Sequence, residues 1–158
     1  MTPSAPSPLG SDHEQAWRVY LRAHALLERQ LDSELRAECG ISLNVYDALV
    51  QLSEAPGRHL RMKDLAEALV YSQSGLTRVV DSLERLGFAR RETDPSDRRA
   101  LLVTLTPEGL KALLAAWKVH TRGVTNYWAR HVTPAQARTI GKAFGAVRAQ
   151  LEPSWTPM

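Results

Sequence analysis

The sequence predicts a mainly α-helical chain with one small antiparallel β-hairpin, and three observations carry that reading. Apolar residues recur every three or four positions over most of the length, as amphipathic helices require. Between residues 88 and 105 the spacing shortens to strict alternation, the signature of strands. Capping and turn residues (Ser42, Ser72, Gly87, Thr106-Pro107, Thr133) stand where these stripes begin or end.

A chain of 158 residues that is 44% hydrophobic is of single-domain size and can fill a core. Residues 1–11, MTPSAPSPLGS, lack a basic start and an apolar run, and read as a disordered tail rather than a signal peptide. No stretch approaches the roughly 20 apolar residues of a membrane span, so no membrane partner and a cytoplasmic location are expected. The single cysteine, Cys39, excludes an intrachain disulfide framework. The net charge of +3 is unevenly spread: residues 1–56 carry 4 Arg against 8 acids, residues 57–110 carry 9 basic against 8 acidic, and residues 111–158 carry 7 against 1. The two ends are therefore electrostatically complementary.

From residue 12 to about 38, Trp17, Tyr20, His24, Leu27, Leu31 and Leu35 form the stripe of one long helix, stopped by Gly40. Ser42 caps a second, striped by Val45, Ala48, Leu49 and Leu52 and ended by Pro56-Gly57. HLRM (59–62) reads as an extended link to a helix of about two turns around Leu65, Ala66 and Leu69. Ser72 caps the next, with Leu76, Val79, Val80 and Leu83 on one face and Ser74, Thr77, Arg78 and Asp81 on the other. Gly87 and Phe88 suit a left-handed stop. Residues 88–93 and 100–105 are the expected strands, joined by a turn at Asp94-Pro95-Ser96-Asp97. Thr106-Pro107 opens a helix striped by Leu110, Leu113, Leu114, Trp117, Val124 and Trp128, with Gly123 placed to kink it. Thr133-Pro134-Ala135-Gln136 is a capping box for the last helix, lined by Ala137, Ile140, Phe144, Val147 and Leu151.

A short helix, a tight connection, a helix with a polar outer face and then a hairpin with a basic tip form a winged helix-turn-helix arrangement. Such a second helix fits the major groove of double-stranded DNA, and its N-terminal residues reach base edges. Here those are Gln73, Ser74, Thr77 and Arg78: Arg78 can fork onto guanine, Gln73 can pair with adenine, and Ser72 with the first amides can hold a phosphate. Asp81 either steers Arg78 or is solvated. Arg98 and Arg99 supply cationic reach for a narrow minor groove. Asp97 beside them is expected to pair with one of the two and orient it. Taken singly, each of these surfaces is ordinary solvated protein; it is their order along the chain that points to DNA.

The run RMKDLAEALVYSQSGLTRVVDSLERLGFARRETDPSDRRALLVTLTPEGLKAL resembles the MarR family of transcriptional regulators. The most specific part is the wing signature D-P-x-D-R-R followed by V-x-L-T-x-x-G, here Asp94, Pro95, Asp97, Arg98, Arg99, Val103, Leu105, Thr106 and Gly109. The resemblance implies a homodimer formed by the first and the last two helices (12–38 and 107–151). It would present two winged heads (42–105) to a pseudo-palindromic operator and be released by a phenolic or organic-anion effector. Residues 152–158 read as a tail. For the effector, the candidate residues are Trp17, Tyr20 and His24 on one helix face, with Arg61, His59 or Asp64 nearby.

Three other readings compete. A winged dimer could bind a protein instead of DNA, which the near-neutral charge of residues 57–110 favours. Cys39 could sense oxidants, but it lies at the far end of the first helix, not near its start where peroxide-sensing members place theirs. No nucleophile–base pair, phosphate loop or metal-ligand spacing is present, so no catalytic residue, metal or cofactor is expected.

Overall fold

The computed structural model describes residues 9–70 and 72–152, with the side chain of Gln73 outside that set. Most of the expected tails, 1–11 and 152–158, lies outside the described residues. The chain divides into two units, Met1–Thr121 and Arg122–Met158.

In the first unit, α1 (Ser11–Cys39) is halted by Gly40, whose left-handed φ of 69° lets its amide return to the Arg36 carbonyl. α2 (Leu43–Glu54) starts at Ser42, whose hydroxyl accepts the Val45 amide. A 3₁₀ turn (Pro56–Arg58) leads into β1 (His59–Arg61), followed by α3 (Met62–Leu69) and α4 (Gln73–Arg85). β2 (Ala89–Asp94) and β3 (Asp97–Leu105) follow, then α5 (Pro107–Val124). The core is the inner faces of these elements: Leu35, Leu49, Leu52, Leu65, Leu76, Val80, Leu83 and Val103 are all sealed from solvent.

The expected two-stranded hairpin is a three-stranded antiparallel sheet in the order β1-β3-β2. His59, Leu60 and Arg61 pair with Thr104, Val103 and Leu102. A strand of this length is too short to show alternation, and its partner lies more than forty positions away, which is why the sequence reads it only as an extended link. Both hairpin strands also run further towards the tip than expected. At the base, Gly87 (φ 72°) closes α4 and the Phe88 amide donates to Leu83 O at 2.8 Å. Thr106 then fastens β3 to that stop, its hydroxyl donating to Gly87 O at 2.7 Å and its amide to Phe88 O at 3.0 Å. The approach is so close that a Cβ on Gly109 would fall 2.1 Å from Phe88 O. Glycine is required there by space alone.

The second unit begins near the end of α5. α5 runs through Gly123 without a break, and the helix widens instead two residues later into a π-helical segment (Thr125–Ala129). α6 (Pro134–Leu151) opens with the complete capping box, Thr133 and Gln136 exchanging hydrogen bonds.

Candidate nucleic-acid interface

α4 is dry on one face and polar on the other because its apolar residues repeat at helical spacing. Leu76, Val79, Val80 and Leu83 are buried, while Ser74, Thr77 and Arg78 face solvent. Ser72 caps the helix, its hydroxyl accepting the Gly75 amide at 3.1 Å and lying 3.3 Å from the Ser74 hydroxyl. The remaining amides of the first turn point outward, where an anion is favoured. Gln73 contributes its backbone to that turn; its side chain lies outside the described residues.

Asp81 is exposed, as one of the two expectations has it, but it does not steer Arg78. It accepts from Arg91 of β2 at 2.7 Å, and Glu84 takes the other side of the same guanidinium and the Arg91 amide. Arg91 thus clamps α4 to the wing. Among the described residues no acid pairs with Arg78. The clamp has a legible cause: strand alternation puts Arg91 on the same side as buried Ala89 and Arg90 on the other.

The wing tip departs from the sequence reading in an instructive way. Asp97 does not pair with either arginine side chain; its carboxylate accepts the backbone amide of Arg99 at 3.0 Å. With its acceptor turned back on the chain, Asp97 shapes the turn and leaves both guanidinium groups to solvent. Thr93 pairs with Leu101 but Asp94 with Asp97, so the register slips and Arg98, Arg99 and Ala100 oppose no residue of β2. Bulges of this kind re-aim side chains. Two adjacent strand residues would point to opposite faces; here both arginines are exposed.

Asp94, nearly buried at 6% exposure, is the tip's anchor. Ser96 donates to it from its hydroxyl (2.7 Å) and its amide (2.8 Å), and Arg61 of β1 donates from Nε at 2.8 Å. These donors hold the Asp94 carboxyl down to about 2. Arg61 carries no sequence signal for this role, since its partner lies 33 positions away.

A sequence model of the MarR family matches residues 40–100. Two solved structures from Streptomyces coelicolor match nearly the whole chain. The MarR family regulator Sco3205, crystallised with DNA, is 35% identical with a TM-score of 0.87, over 96% of this chain and 95% of that one. AbsC, also a MarR family regulator, is 32% identical with a TM-score of 0.86, over 94% of this chain and 100% of that one. The chain belongs to the MarR family of transcriptional regulators. The Escherichia coli HTH-type transcriptional regulator PrsX is 31% identical over 93 residues, 59% of this chain and 55% of its own, so the chain spans about half the length of the curated relatives it matches.

For a MarR effector the geometry is divided. Trp17, Tyr20 and His24 do form one stripe on α1, with neighbouring ring centroids 5.7 Å apart in both pairs, and His24 lies 3.6 Å from Glu28. Arg61 is not with them. It lines an open concavity of about 880 Å³ together with His59, Asp64, Glu92 and Thr104, and its guanidinium is engaged by Asp94 and Ser96. Trp17, Tyr20 and His24 are not among the residues that line this concavity. Sequence reasoning also misses two groups at α2: buried Tyr46 stacks on His120 of α5 at 4.5 Å, and burial with the Glu28 charge pushes the half-buried Asp47 carboxyl up to about 6. Cys39 ends α1 half-buried.

Proposed function

We propose that this MarR family chain is a cytoplasmic, homodimeric repressor that binds a pseudo-palindromic operator in double-stranded DNA and is released by a small phenolic or organic-anion ligand. The observation that carries the DNA reading is the pattern of charge neutralisation in the head. Its near-neutral balance, the one feature favouring a protein partner, comes from acids spent internally: Asp81 and Glu84 on Arg91, Asp94 on Arg61, Glu92 on Arg90 and Glu67 on Lys63. Five cations of the head are outside these pairs, Arg58, Arg78, Arg85, Arg98 and Arg99, and three of them, Arg78 on α4 and Arg98 and Arg99 on the bulge, lie on the elements that a winged helix-turn-helix turns to DNA. The complex of Sco3205 with DNA supports the same assignment.

Dimerisation through residues 12–38 and 107–151 is supported by apolar side chains that a lone chain leaves in water. On α1 these include Trp17 and Val19, on α5 Leu114 and Trp117, and on α6 Phe144 and Val147. Surfaces of this kind mark association sites. Two heads related by a two-fold axis would place each α4 in successive major grooves about 34 Å apart. Ser72, Ser74, Thr77 and Arg78, with Gln73, would then read bases or hold phosphates, and the wing arginines would enter the flanking minor grooves. The aromatic stripe of Trp17, Tyr20 and His24 belongs either to this dimer surface or to the effector contact.

Salt titration of binding to the DNA flanking the chain's own gene tests this. Affinity should fall with a log–log slope near −0.9 per phosphate neutralised. Arg98→Ala with Arg99→Ala should make that slope shallower, and Arg78→Ala should relax base preference at one position per half-site at about 1–3 kcal/mol. No preference over random duplex at moderate salt would refute the proposal.

A further inference from the structure

The connection between α3 and α4 contains a residue that neither the backbone nor the core explains. Val70 is the C-cap of α3, left-handed with φ 55° and ψ 40°, its amide donating to Glu67 O at 3.1 Å. Helix-turn-helix connections often use glycine at such a point. A β-branched side chain is among the least tolerated there, because its Cβ crowds the backbone carbonyl. The side chain has no packing role to compensate: at 80% exposure Val70 is the most exposed large apolar residue among those described. It stands two positions before Ser72, the cap of the helix whose first turn faces DNA in the function proposed above.

We infer that Val70 is a base-contacting residue whose isopropyl group packs on the C5-methyl of a thymine in each half-site. That methyl is the apolar group a base pair shows in the major groove. Val70 is an exposed apolar residue two positions before Ser72 and four before Ser74, and stiff at χ1, so it would lose little freedom on contact. The proposal rests on the DNA-binding reading and assigns to it a base preference that Arg78 does not supply.

The test uses operator duplexes selected from a random library by the full-length chain, with each thymine replaced in turn by deoxyuridine, which removes only the methyl. One thymine per half-site should prove sensitive, its replacement weakening wild-type binding about fourfold, equivalent to about 0.8 kcal/mol for one buried methyl-sized group. Val70→Ala retains the strained backbone and loses the methyls; Val70→Gly loses both. Each should bind thymine and uracil duplexes equally at that position, and Val70→Gly should do so without a lower Tm. Discrimination that survives in both variants, or no uracil-sensitive position at all, overturns the inference while leaving the regulator intact. Failure of the wild-type chain to enrich any duplex removes the DNA-binding reading and this inference with it.

Discussion

Replacing Arg91 by methionine should separate positioning from contact in the reading head. The side chain is 21% exposed and holds two acids of α4, Asp81 at 59% and Glu84 at 36% exposure. Exposed ion pairs contribute about 0.2–1 kcal/mol each, and a shared guanidinium that is largely shielded lies at the upper end, so the expected loss is about 1–2 kcal/mol. Methionine keeps the apolar stem in place, which confines the change to charge and hydrogen bonding. For a chain of this size that corresponds to a Tm lower by about 2–8 °C. The deficit should shrink in about 1 M salt, where the Debye length is near 3 Å. Operator affinity, followed by fluorescence anisotropy, should also fall because α4 is no longer fixed to β2. Its log–log salt slope should stay at the wild-type value, since Arg91 neutralises acids of its own chain and no phosphate. An undiminished deficit at high salt would show that the clamp acts through packing. A slope that falls with affinity would place Arg91 on the DNA.

Gly109→Ala forces a Cβ towards Phe88 O, so it should lower stability by about 1–3 kcal/mol in denaturant melts, and a neutral result would mean that the hairpin base yields freely. Asp47→Asn probes a carboxyl whose folded value, about 6, is above its unfolded one; its charge opposes folding above that value, and the penalty fades as pH falls towards 4. The variant should therefore be more stable than wild type by about 1 kcal/mol at pH 7.5, after allowance for solvent screening, and by less at pH 5; an advantage independent of pH would exclude this cause. Asp97→Ala should weaken operator binding although it removes a negative charge, because the Arg99 amide loses its acceptor; tighter binding would reduce Asp97 to a repulsive neighbour.

The helices were legible because their signals are local: Ser42, Ser72 and Thr133 each accept an amide within the next turn, and the stripes behind them need only the right period. The wing's place and its turn were legible for the same reason. What escaped depends on residues brought together from afar. β1 becomes a strand only by meeting β3, and Arg61 becomes a wing residue only by meeting Asp94 across 33 positions. The sequence pairs Asp97 with a neighbouring arginine and leaves Asp81 either steering Arg78 or solvated, whereas folding gives the first a backbone amide and the second a cation from another element. Charge partners do not follow sequence distance, because a guanidinium on a long stem reaches whichever acid the packed backbone places within its span.

The slipped register at the wing has a consequence for how the tip can vary. From Ala89↔Leu105 to Thr93↔Leu101 the ladder is counted from the base, and it fixes Val103 and Leu105 in the core. Arg98, Arg99 and Ala100 stand outside that count. Lengthening or shortening the chain among those three would shift where the cations point and leave the parity of every buried strand residue intact. The register of these three residues is thus independent of the core ladder, free to be retuned for a different groove without refolding the head that carries it.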